Sequence, residues 1–222
     1  MRSTGVVPIT IVCMVVAAGC GGGAAAPVAK TSNASQADAA WMLKQDMRRL
    51  WTDHVVWTRE YIVAAIGGQP EAQSAADRLM RNQEDIGNAV AKYYGDAAGR
   101  QLTALLKQHI GIAVDVVTTA KAGDKAGFKQ ADDRWQQNGA EIADFLSKAN
   151  PNWPRETLVA MMKKHLATTT TEVEARLNKN WNDDVKAFDA VYDHILNMSD
   201  ALADGIVKQF PEKFGKSENV TN

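Results

Sequence analysis

Residues 158–205 read LVAMMKKHLATTTTEVEARLNKNWNDDVKAFDAVYDHILNMSDALADG, two segments of helical apolar period joined by a polar turn near Asn180. At 3.6 residues per turn Leu158, Met161, His165, Thr168 and Glu172 fall on one stripe, and Val191, His194, Met198, Ala201 and Gly205 on another. Each stripe puts a histidine where a core residue belongs. His165 precedes Asn180 by 15 residues and His194 follows it by 14, so in an antiparallel hairpin they come level, about 21 Å from the turn. The stretch predicts a helical hairpin with a facing imidazole pair.

The same periodicity runs from Trp41 to Phe210, broken only where turn residues cluster. These breaks are Gly67-Gly68-Gln69-Pro70, Tyr94-Gly95-Asp96, Ala122-Gly123-Asp124, Asn150-Pro151-Asn152-Trp153-Pro154, the neighbourhood of Asn180, and Pro211. They predict six helices, at about 41–66, 71–93, 97–121, 125–148, 155–178 and 182–209. β-Branched runs such as Val114 to Thr119 lie inside helical periodicity, so no strand is expected.

Aligning the chain with itself at an offset of 55 or 56 residues relates the six helices as three hairpins. Leu50 to Val55 matches Leu105 to Ile110 and Met161 to Leu166, superposing His54, His109 and His165. In the second helices Asn82 matches Asn138 and His194. Each hairpin therefore carries a facing polar pair at one height, and all four histidines of the chain belong to this layer. The expected fold is an all-α bundle of about six helices, built from three αα-hairpin repeats.

Composition narrows the function classes. The 222 residues are 45% hydrophobic and 23% charged, with 25 basic against 26 acidic residues and no long run of either sign, which leaves no footprint for nucleic acid. Arg2, the apolar stretch Val6 to Val16 and the small residues Ala17-Ala18-Gly19 before Cys20 form an export signal, too short for a stable membrane span. Val16-Ala17-Ala18-Gly19-Cys20 resembles the lipobox of bacterial lipoproteins, with Ala17 where that family usually has Leu. The resemblance implies cleavage after residue 19, lipid on Cys20, and a chain held in the bacterial cell envelope on the periplasmic side. Residues 20–40, rich in Gly, Ala and Ser, are then expected to be a flexible tether. The domain is expected over 41–212, with a disordered tail over 213–222.

The segments His54-Val55-Val56-Trp57-Thr58-Arg59, Tyr93-Tyr94-Gly95-Asp96, Asn150-Pro151-Asn152-Trp153 and Gly205 to Pro211 resemble a family of small bacterial helical proteins of unsettled function. Some members carry the names glycosyltransferase or acetylglutamate kinase. This chain has no Asp-x-Asp motif for a metal-bound nucleotide sugar, and its Gly-rich run, Gly21 to Gly23, does not lie between a strand and a helix. The resemblance implies a fold and little chemistry.

Two readings of the polar layer follow. His54 with Asn82, and His109 with Asn138, can be satisfied core pairs, since one ring N–H to an amide oxygen suffices. In the third hairpin His165 faces His194, and Glu172 takes the seam position of Tyr61 and Val116. Neutral imidazoles projecting from facing helices are how bundles hold metal ions or haem. The candidate ligands of a transition-metal ion are thus His165, His194, His54 and His109, with Asp193 or Asp200 as further donors. Glu172, Asn82, Asn138 and Thr169 would form a second layer or ligand pocket. Glu172 lies two turns from His165, about 10 Å along the axis, and its alternative partner is Arg59. Cys-x-x-Cys-His is absent, which leaves a single ion or non-covalent haem as the cofactor. The leading function is binding of a metal ion or small ligand in this layer; the rival is an envelope structural or protein-interaction module whose histidines are satisfied core residues, and no nucleophile or phosphate loop supports an enzyme.

Overall fold

The computed structural model describes residues 29–214. The segment expected to be an export signal, Cys20, the first part of the expected tether and residues 215–222 lie outside the described residues. The fold is all-α: α1 (Ala29–Gly67), α2 (Ala72–Tyr94), α3 (Asp96–Ala122), α4 (Lys125–Ala149), α5 (Arg155–Leu177), α6 (Trp181–Gln209), and a 3-10 turn, Pro211–Phe214. Among the described residues no helix is long and apolar enough to cross a membrane.

Two boundaries differ from expectation. α1 begins at Ala29, inside the segment read as tether, because residues 28–66 contain neither Gly nor Pro and Ala recurs at 34, 37, 39 and 40. Beyond 212 the chain is still packed: Phe214 is buried, its ring stacked on Tyr93 at 5.9 Å.

Each helix packs on the next, and α6 returns to α1, so the six helices close into one ring. Across that ring α1, α3 and α5 touch one another. They are the first helices of the three hairpins, the ones that carry His54, His109 and His165.

The hairpin turns repeat atom for atom. The N–H of Gln69, Asp124 and Asn180 reaches back to the carbonyl of Ala64, Thr119 and Ala175, and the preceding N–H bonds to Ala65, Ala120 and Arg176. This is the Schellman closure, which needs a left-handed residue just past the helix. Gly68 (φ 70°) and Gly123 (φ 67°) supply it in the first two hairpins, but the third uses Lys179 (φ 57°). A Cβ in that region costs about 1–2 kcal/mol. Lys179→Gly is therefore expected to stabilise the domain by about 1 kcal/mol, after the entropy cost of glycine; an unchanged denaturation midpoint would show the turn to be relaxed as it stands.

The end opposite these turns is built from three of the four segments quoted for the family resemblance. Tyr94 donates its hydroxyl to Gln209 Oε1 (2.9 Å) and accepts from Asn150 Nδ2 (2.8 Å). Trp153 lies so close to Gly205 that any Cβ there would fall within 2.8 Å of three atoms of the indole. Gly205 is thus the notch that admits the tryptophan plug.

Candidate functional site

The histidine layer crosses the bundle and divides its apolar interior. On one side lies the large cluster of Met47, Trp51, Ile86, Leu106, Ile142 and Ile195 with their neighbours. On the turn side lie two smaller clusters, one around Ile62 and Val173, the other around Val116 and Trp135. A cavity of about 30 Å³ abuts the layer from the first side and one of about 20 Å³ from the second; His54, His109 and His165 line both. Spaces of this size admit one or two water molecules. They do not admit a macrocycle, so the site does not fit the non-covalent haem that the sequence left open.

The structure gathers the histidines differently from the facing pairs expected. His165 is central: its ring centroid lies 5.8 Å from that of His54, 6.0 Å from His109 and 6.4 Å from His194. The inner trio therefore comes from α1, α3 and α5, one histidine per repeat. His165 and His194 stack without a hydrogen bond, and His194 Nε2 donates instead to the Met161 carbonyl at 2.8 Å, near the surface. Helical phase gave the height of each residue but not which helices meet at the axis.

The asparagine partners are half as expected. His109 Nδ1 donates to Asn138 Oδ1 at 2.8 Å, and Asn138 Nδ2 donates to the Leu105 carbonyl. In the first hairpin the pairing shifts by one residue. Asn82 Nδ2 donates to the Leu50 carbonyl, and the amide that meets His54 Nδ1, at 3.3 Å, belongs to Gln83. Sequence reading missed Gln83, although its position next to Asn82 on a helix facing His54 is a usable signal. Also missed was Trp51, edge-on to His54 at 5.5 Å. Thr169 is buried but turns its hydroxyl back to the His165 carbonyl (2.9 Å).

Burial keeps these rings neutral. It pulls His54 down to about 3, helped by the nearby His109, and His109 down to about 4 against the Asn138 hydrogen bond. His165 is held well below the ordinary range by burial and then by His54, His109 and His194. His194, buried but closer to the surface, is lowered as well, chiefly by desolvation. His109, with its proton on Nδ1, presents a bare Nε2 lone pair. His109 Nε2 and His165 Nδ1 are both buried without a hydrogen-bond partner among the described residues.

Glu172 is buried with the basic partner that the sequence offered as its alternative. Arg59 Nη1 donates to Glu172 Oε1 (2.9 Å), and its fork binds both oxygens of Asp184 (2.5 and 2.7 Å). Arg176 adds a bond to Asp184 Oδ2 (3.1 Å). Burial pushes the Glu172 carboxyl up to about 6 against the pull of Arg59. Burial alone would raise Asp184 too, but Arg59 and Arg176 hold it below the usual carboxylate range.

None of the expected acidic donors enters the layer. Asp200 is gripped by Arg48 through two bonds (2.7 and 2.6 Å), and Asp193 is exposed. Among the described residues no three His, Cys, Asp or Glu side chains converge as a ready-made metal set. Comparison with known proteins finds no matching family, curated protein or solved structure.

Proposed function

We propose that this bundle is a metal-ion-binding module of the bacterial envelope, anchored by lipid on Cys20, whose ligands are His54, His109 and His165. The observation that carries the reading is the pair of buried, unpartnered nitrogens, His109 Nε2 and His165 Nδ1, in a trio of neutral imidazoles between two water-sized spaces. A buried polar atom left without a partner costs about 1–3 kcal/mol. A metal ion would repay it. Asn138 already holds His109 in the tautomer that frees Nε2, the orienting role that an amide or carboxylate plays beside metal-bound histidines. Two nitrogens are free as they stand; small turns of the rings, and release of His54 Nδ1 from the Gln83 amide at 3.3 Å, would be needed to bring a third to the same point.

The rival reading, a protein-binding module with a histidine core, is supported by His54 and His194, whose hydrogen bonds are made within the chain. Elemental analysis of the full chain, purified without chelator or histidine tag, separates the two. One metal per chain, lost in His165→Ala, is expected. Added metal at about 100 times its Kd should stabilise the metal-free protein by about 2.7 kcal/mol. A metal-free protein that no added ion stabilises would leave the structural reading in place. The anchor has its own test: Cys20→Ser should release the protein from membranes.

A further inference from the structure

Resting on that metal-binding reading, we infer that the ion is a soft monovalent cation, Cu(I), held by the histidines together with methionine sulfur. The cavity on the large-core side is lined by His54, His109 and His165 and also by Met47, Met162 and Met198, all six side chains buried. Six methionines follow Cys20 in the chain; three of them line this one space.

Charge decides against a divalent ion. Every candidate donor at the cavity is neutral as a ligand, since an imidazole nitrogen and a thioether sulfur bring no charge to the ion. The buried carboxylates are committed elsewhere, Glu172 to Arg59 and Asp184 to Arg59 and Arg176. No cysteine lies among the described residues. A doubly charged ion here would keep its full charge in an apolar interior, and the desolvation penalty grows with the square of the charge. Cu(I) carries a quarter of that penalty, accepts two or three ligands, and prefers imidazole and thioether to oxygen. Two free ring nitrogens and a sulfur meet that need.

A route inward is lined by the same donors. A surface groove between α5 and α6 is walled by Met161, His194 and Met198 with Lys164, Glu156 and Asn197. Met198 belongs to both the groove and the inner cavity, and the His194 ring stacks on His165. His194 and Met161 would take the ion at the surface and Met198 would pass it to the trio. This gives the outer histidine a role in loading rather than in the final site.

The test is anaerobic titration of the full chain with Cu(I) competed against bicinchoninate, with Ag(I) as the redox-inert stand-in and Zn(II) as the divalent comparison. One Cu(I) or Ag(I) per chain is expected, bound at least about 100-fold more tightly than Zn(II). Met198→Leu conserves volume and should fold, and it should weaken Cu(I) binding about 10-fold while leaving any Zn(II) binding unchanged. His165→Ala should abolish both; if it does not fold, Met198→Leu and Met162→Leu decide. His194→Ala should slow loading with little change in final affinity. Zn(II) bound as tightly as Cu(I), with Met198→Leu silent, would overturn the soft-cation inference and leave metal binding standing. Failure of Cu(I), Ag(I) and Zn(II) alike would overturn metal binding itself.

Discussion

Arg59→Met is expected to lower the stability of the domain by about 3–5 kcal/mol, the usual cost of removing one partner from a buried ion pair. For a domain of this size that is a fall on the order of 10 °C in Tm. Arg59 is the only described cation within salt-bridge distance of Glu172, and it supplies two of the three bonds that Asp184 receives from arginine. Arg176 covers Asp184 but makes no bond to Glu172. Without Arg59 the Glu172 carboxyl, already raised to about 6 by burial, would rise further and take up a proton at neutral pH. The loss is therefore that of the charge pairing plus the proton uptake. Glu172→Gln in the Arg59→Met background should recover part of it, because the amide is neutral without having to take up a proton. Urea denaturation of the two variants measures both numbers. A loss under about 1 kcal/mol for Arg59→Met would show that water reaches the network.

This network shows where sequence reasoning stops. That Glu172 lies on a core stripe follows from helical phase, and a buried carboxylate demands a cation. Arg59 could be offered as that cation because it lies on the helix of His54, just over one turn beyond it. Asp184 sits in the first turn of α6 on the His194 stripe, seven residues before Val191, so its burial follows from phase; what phase does not show is that α6 closes against α1 and brings it to Arg59. Ring closure is a three-dimensional fact, and no periodicity encodes it.

The fold itself was largely legible, because helical signals are local. Gly68, Gly123 and Asn180 mark the turns, the stripes between them fix the buried faces, and the 55- or 56-residue offset reappears in the hydrogen bonds Gln69 to Ala64, Asp124 to Thr119 and Asn180 to Ala175. The start of α1 lies ahead of the sequence expectation: small polar residues suggest a tether, while the absence of Gly and Pro permits a helix. The site was legible in height but not in grouping. Equal spacing from the turns puts His54, His109, His165 and His194 in one layer. It cannot say that α1, α3 and α5 meet at the axis, and so it could not distinguish a trio plus an outlier from facing pairs. Gln83 instead of Asn82 as partner of His54 is a matter of about 100° of helix rotation, which only packing sets.

The second large effect is on acid stability. Above pH 6.5 the histidines are neutral in both the folded and the unfolded chain and contribute nothing to the pH dependence. As pH falls below 6.5 the unfolded chain takes up protons that the folded one refuses, since His54 is held to about 3, His109 to about 4 and His165 well below its ordinary value. Stability is thus present above the unfolded pKa and is lost as pH drops toward the folded values. At pH 5 His54 and His109 cost about 2 kcal/mol each, and His165 adds to the loss in the same direction. Glu172 acts in the opposite sense: raised from 4.5 to about 6, it binds its proton in the folded state first and returns about 1 kcal/mol at pH 5. Asp184 and Asp200, held below the carboxylate range by their arginines, change only at lower pH. The expected net loss between pH 7 and pH 5 is at least about 3 kcal/mol, a large part of the whole stability of many domains. Urea midpoints at the two pH values should separate accordingly, and His109→Met should remove about 2 kcal/mol of the difference. A midpoint that stays flat from pH 7 to pH 5 would mean that the folded layer accepts protons, and with them water, which would remove the low-dielectric surroundings on which the choice of a monovalent over a divalent ion depends.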